Sequence, residues 1–224
     1  GEKFINLNIS DIFINKRCRR YDLTSHIRTF KNTKLLFRDK QRFTTDLYNV
    51  LQHPSVASKR FIMNKTDRSV GGLVVQQQCV GPHHIPISDY SIVADSFTDY
   101  SGVVSAIGEQ SIYGIVDVKS MIEMSLSEML LSLMFCKIDS FKNIMCNPYW
   151  AYPCDSDSEK YRFTQSVIHL HNIIRQLDIN IGESAENTNM SSKLNDTYVK
   201  SPPTFSINGM SNINDFRKRV TPDI

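Results

Sequence analysis

Asp67-Arg68-Ser69-Val70-Gly71-Gly72-Leu73-Val74-Val75-Gln76-Gln77-Gln78-Cys79-Val80-Gly81-Pro82-His83-His84-Ile85-Pro86-Ile87-Ser88-Asp89 is the stretch on which the fold turns. Adjacent glycines open it, an apolar run follows, glutamines interrupt that run, and Gly81-Pro82 turns the chain toward an acidic residue. Gly71 and Gly72 lack the Cβ that would keep a phosphate or a neighbouring strand away, and both tolerate positive φ. Spacing alone leaves two readings open: a backbone shaped for close approach to a ligand, or the start of a strand with its turn.

Downstream the β signal continues. Val70 to Val75 and Tyr90 to Val93 are rich in β-branched or aromatic residues and bounded by Gly, Pro and Asp. Val103-Val104 and Ile112 to Val116 repeat the pattern after expected turns at Ser101-Gly102 and Gly108. At Asp117, a good N-cap, the period changes, and an uninterrupted run to Phe135 predicts a helix apolar on most sides and hence buried. A polar loop with Pro148 and Pro153 follows, then an amphipathic helix capped by Ser156 or Ser158 that covers a sheet. Gly182 to Asn195 reads as a long mobile loop, and Thr204 to Ile207 as a last strand. The pattern predicts an α+β fold, a mixed sheet with helices packed on one face.

Upstream, residues 1–40 alternate weakly at Ile5, Leu7, Ile9, Ile12 and Phe13, as a leading arm would. Lys16, Arg17, Arg19 and Arg20 are a solvated basic turn or a phosphate-neutralising cluster. Thr44 or Thr45 is the expected cap of a short helix with Leu47, Val50 and Leu51 on one face, stopped by Pro54.

At 224 residues with 41% apolar content the chain can bury a core. A net charge of +3, spread along the chain, is no argument for nucleic acid as a partner. No apolar run reaches the roughly 20 residues of a membrane span, so a soluble, cytoplasmic protein is the expectation. Cys18, Cys79, Cys136, Cys146 and Cys154 contain no Cys-x-x-Cys pair and read as reduced thiols.

Among candidate chemical groups, Met121, Met124, Met129 and Met134 read as core filling or an adaptable surface. Glu128 lies within an apolar helix, where a carboxylate needs an ion pair, a hydrogen bond or a cation. Ser132, one turn on, can add a second oxygen. His169 and His171 are two apart and face different sides of a helix, and His83-His84 read as surface residues.

His53-Pro54-Ser55-Val56-Ala57-Ser58-Lys59-Arg60-Phe61, Asp67 to Val74, Gln76 to Pro82, Ala106-Ile107-Gly108-Glu109-Gln110, Ser127-Glu128-Met129-Leu130 and the closing Val220-Thr221-Pro222-Asp223 resemble phosphoribosylformylglycinamidine synthase of the large eukaryotic type. The resemblance implies a linker arm over residues 1–40. Over 41–224 it implies an N-terminal subdomain of the aminoimidazole ribonucleotide synthetase (PurM) type. The implied enzyme is an ATP-dependent ligase of purine biosynthesis that converts formylglycinamide ribonucleotide to its amidine with glutamine-derived ammonia. Implied cofactors are ATP or ADP and Mg2+, with Asp89, Glu128 and Ser132 as metal ligands and Gly71, Gly72 and Asn147 on the nucleotide. No catalytic residue is implied for this segment. The implied partners are the remaining subdomains and a glutaminase domain, with self-association through an exposed sheet face.

Departures from the family pattern keep a second reading open, that of a non-catalytic structural domain. Ser132 stands where the family has Asn. Asn147-Pro148-Tyr149-Trp150 replaces Asn-Trp-Met-Trp, and Gly182-Glu183-Ser184-Ala185 replaces Gly-Lys-Asp-Ser. The last change reverses charge at a loop expected to face anions.

Overall fold

The structure is a computed structural model that describes residues 6–9, 39–66, 68 and 71–222. The basic cluster at Lys16 to Arg20 lies outside the described residues, as do Cys18, Asp67, Ser69, Val70 and Asp223.

Helix α1, Lys40–Gln52, starts one turn earlier than expected because the Asp39 carboxylate accepts from the Arg42 N–H at 2.7 Å. Thr44 and Thr45 are therefore inside the helix, their hydroxyls donating to the carbonyls of Lys40 and Gln41. The helix stops at His53, extended at ψ 134 as a residue before proline must be. Helix α2 is Arg60–Met63.

Strands β1 (Val74–Gln76), β2 (Tyr90–Ala94) and β3 (Gly102–Glu109) follow. β1 is shorter than its apolar run, and β3 continues straight through Gly108, which makes no turn. Ile112 to Val116 is not a strand. Its residues form helix α3, Ser111–Val116, despite their β-branched composition. The Arg162 guanidinium caps this helix by donating to the carbonyls of Gly114 and Ile115, a tertiary contact that overrides local propensity.

Helix α4, Val118–Leu133, is capped as expected by Asp117, whose carboxylate accepts from the N–H groups of Lys119 and Ser120. Helix α5, Asp157–Leu177, is capped by Ser156. Between them lies a strand that composition concealed, β4 (Met145–Ala151). β6 (Ala185–Asn187) and β7 (Ser191–Leu194) lie within the Gly182 to Asn195 stretch read as a loop, with β5 (Asn180–Ile181) just before it and β8 (Thr197–Lys200), the hairpin partner of β7, just after. The last strand, β9, runs over ten residues, Thr204–Ile213.

The main sheet has the order β1-β2-β3-β9-β4-β5, with β6 also paired to β4. The β4–β5 and β4–β6 ladders are parallel and the rest antiparallel, so the sheet is mixed. Pro148 is tolerated within β4 because β5 ends opposite Cys146 and β6 begins opposite Tyr149. Its missing N–H falls in that gap, on the side to which Ile144 and Cys146 direct their carbonyls.

Alternation along β9 buries Phe205, Ile207 and Ile213 beneath the helices. Helix α4 covers β3 and β9 with Met121, Ile122, Leu126, Met129 and Leu133, each nearly or fully buried. At roughly 1.5–3 kcal/mol per large side chain, this face is the main source of hydrophobic stabilisation. The methionines divide: Met121 and Met129 fill the core, whereas Met124 and Met134 are exposed. The helix is thus buried on one side, not most sides. Helix α5 lies beside α4 and reaches β4 through Phe163, whose ring is 6.2 Å from Trp150 and 5.3 Å from Tyr152.

Gly108 faces α4, and a Cβ there would overlap the Ser125 carbonyl oxygen. Gly209 faces the same helix, but a Cβ there would overlap the Met129 sulfur, the flexible part of a side chain. Gly108→Ala should therefore destabilise by at least about 1–3 kcal/mol, since main chain must move, and Gly209→Ala by less. Urea denaturation midpoints check the order; an equal or reversed ranking contradicts this packing.

The Asp117 carboxyl is raised by partial burial, but the Ser120 hydroxyl and the two N–H groups outweigh this and hold it below the ordinary 3.8. Its contribution to stability is present above that value and fades as pH falls through the lowered one. Asp117→Ala should cost about 0.5–2 kcal/mol at neutral pH and less in acid, measured by denaturation at both.

Candidate functional site

The side of the sheet away from the helices carries a cleft of about 560 Å3, bordered by Arg68, Gln76 to Gln78, Asp89, Ile107, Glu128 and Asn208. Asp89 precedes β2, Glu128 projects from α4 past the end of β3, and Asn208 lies in mid-β9. Two of the sequence-predicted metal ligands, Asp89 and Glu128, are thus brought to one cleft. Ser132 is buried one turn beyond Glu128 and is not among the residues that border it.

Glu128 is oriented by the chain that leaves β3. Its Oε2 accepts from the Glu109 N–H at 2.8 Å and from the Gln110 side-chain amide at 3.1 Å. The next turn back repeats the contact, with Ser125 Oγ accepting from the Gln110 N–H at 2.9 Å. The hydrogen-bonded reading of Glu128 therefore holds for one oxygen, while Oε1 has no such partner among the described residues.

The glutamines hold the cleft wall. Gln76, buried, donates to Ser88 Oγ at 2.8 Å and accepts from Arg219 at 2.9 Å. Gln77 accepts from Arg68 Nε at 2.8 Å, and Gln78 donates to the carbonyls of Met63 and Thr66. Arg68 also donates to the Asn64 carbonyl and to His84 Nδ1, so His84, expected to be a lone surface residue, is partnered.

Gly71 needs its glycine for backbone reasons, with φ at +81°. A Cβ on Gly71 would meet nothing, and one on Gly72 only the edge of the Phe97 ring. Neither glycine borders the cleft. Asn147 sits beside Asn208 in the β4–β9 ladder, and its Oδ1 accepts from the Glu183 N–H at 2.9 Å. Asn147 thus pins the Gly182-Glu183 turn, and the Glu183 side chain is exposed there.

Asn208 was beyond sequence reasoning because its strand was read as ending at Ile207. Its Oδ1 is buried without a hydrogen-bond partner among the described residues. Leaving a buried acceptor unsatisfied costs about 1–3 kcal/mol, so such an atom calls for a ligand or water.

Elsewhere, His169 Nε2 meets Glu123 Oε1 at 2.7 Å across α4 and α5. Among the described residues no three His, Cys, Asp or Glu side chains cluster as a metal centre, and Cys79, Cys136 and Cys146 are free thiols. Burial pushes the Cys136 thiol up to about 11 and that of Cys146 to about 12, as for inert core thiols. No helix among the described residues is long and apolar enough to cross a membrane.

The open face also carries exposed apolar side chains, with Ile107 63%, Met145 47%, Val93 46% and Tyr149 41% accessible. On the α4 side Glu128→Leu should cost about 0.5–1.5 kcal/mol by removing the acceptor of the exposed Glu109 N–H, whereas Glu128→Gln should cost less because its Oε1 still accepts. Thermal denaturation of both variants checks this; equal melting of Leu and parent would show that the contact is not stabilising.

Residues 58–212 match the family model described as FGAR-AT PurM_N-like domain. The chain is 36% identical over 178 residues to phosphoribosylformylglycinamidine synthase of Drosophila melanogaster, covering 80% of this chain and 13% of that protein. PurLQS from Thermotoga maritima superposes with a TM-score of 0.51 at 12% identity, covering 91% of this chain and 28% of that one. T. maritima PurL complexed with AMPPCP superposes at 0.52 with 9% identity, over 95% of this chain and 31% of that one. At these identities the superpositions establish the shared fold.

Proposed function

Because the chain belongs to the FGAR-AT PurM_N-like domain family, we propose that it serves as one subdomain of a phosphoribosylformylglycinamidine synthase, with its cleft as a magnesium-nucleotide half-site. The observation that carries this reading is the convergence of Asp89 and Glu128 on a cleft walled by Arg68. The Asp89 and Glu128 carboxylates fit a hard divalent cation, since they offer only oxygen atoms and Glu128 is held with one oxygen in reserve. Asp89 and Glu128 would hold the ion. Such a nucleotide would supply phosphoryl activation of an amide oxygen, or as ADP a fixed structural anchor.

Residues Asn147 and Gly182-Glu183 shape the neighbouring turn, while Gly71 and Gly72 set the backbone before β1. The exposed apolar side chains of the open face, Ile107 foremost, favour docking against another subdomain or a second copy. The chain spans 13% of the length of its Drosophila relative, and the other subdomains and a glutaminase domain are the partners proposed.

A second reading, a non-catalytic structural domain, is favoured by the exposed Glu183 carboxylate, which repels phosphate, and by Ser132 lying outside the cleft. Thermal melting with and without millimolar ADP and magnesium separates the two. The half-site reading expects a rise in melting temperature equivalent to about 2.7 kcal/mol at a hundredfold excess over Kd, lost in Asp89→Ala. An unmoved melting temperature in parent and variant alike supports the structural reading.

A further inference from the structure

We propose that Asn208 supplies the neutral oxygen donor of the cation position formed by Asp89 and Glu128, an assignment that rests on the reading of the cleft as a magnesium-nucleotide site. Asn208 borders that cleft, and its Oδ1 is buried with no hydrogen-bond partner among the described residues. Several polar groups near the cleft make hydrogen bonds elsewhere. Arg68 is engaged by Gln77, Asn64 and His84, Asn147 Oδ1 by the Glu183 N–H, and the Ser91 and Ser105 hydroxyls by one another at 2.8 Å.

An amide oxygen suits a hard cation, which accepts a neutral carbonyl donor beside carboxylates without added charge repulsion. The backbone beneath it is rigid. Asn208 stands in the sheet interior, paired to Ile107 of β3 on one side and Asn147 of β4 on the other. Ser132, by contrast, is buried away from the cleft border. The oxygen expected from the helix is therefore delivered by the strand.

Titration of the 224-residue chain with Mn2+, followed calorimetrically and by electron paramagnetic resonance of the free ion, tests the assignment. Asn208→Ala should raise Kd about tenfold or more, and by a larger factor than Ser132→Ala. Asn208→Asp, which keeps an oxygen and adds charge, should bind at least as tightly as the parent. Melting curves establish that each variant is folded; if Asn208→Ala is not, the Asp variant decides, and weaker binding by it overturns the assignment. A parent-like Kd in Asn208→Ala together with loss in Asp89→Ala would remove Asn208 and leave the cleft reading intact. Absence of Mn2+ binding by the parent would overturn both.

Discussion

The contact between α4 and the β3–β9 pair governs both the core and the cleft. At Gly108 no side chain separates strand from helix, so the Ser125 carbonyl approaches the β3 backbone directly. That approach places Met121, Met129 and Leu133 over the sheet and simultaneously brings Ser125 Oγ and Glu128 Oε2 to the N–H groups of Gln110 and Glu109. The candidate cation ligand is consequently positioned by the same close packing that excludes water from the core. A carboxylate in a half-buried location is tolerable because these donors meet one of its oxygens.

β9 is the second organising element. As the partner of both β3 and β4, it joins the antiparallel half of the sheet to the parallel ladders with β5 and β6. Its alternation divides chemistry from packing: Phe205 and Ile207 go to the helices, Asn208 to the open face. Pro148 marks where the neighbouring edge is interrupted, and the Asn147 side chain beside it accepts from the Glu183 N–H. The turn that carries the exposed Glu183 is therefore anchored to β4.

Strongly periodic or capped elements were legible residue by residue. Asp117 and Ser156 announced their helices, and Tyr90 to Val93 its strand, because local hydrogen bonding and alternation act over a few residues. Where the sequence misled, long-range contacts prevailed: Arg162 holds Ile112 to Val116 helical, Gly108 serves a helix contact instead of a turn, and β4 forms around a proline. The family resemblance pointed to Asp89 and Glu128 as candidates, but Asn208 had no local signature.

By itself, then, the sequence determined the α+β class, the caps of the two long helices at Asp117 and Ser156, and the family to which the chain belongs. Those properties depend on composition, short-range period and motif identity. Only the tertiary structure decided that Asp89, Glu128 and Asn208 share a cleft while Ser132 does not. Their convergence depends on sheet order and on the depth at which α4 lies against Gly108, which bring together groups far apart in the chain.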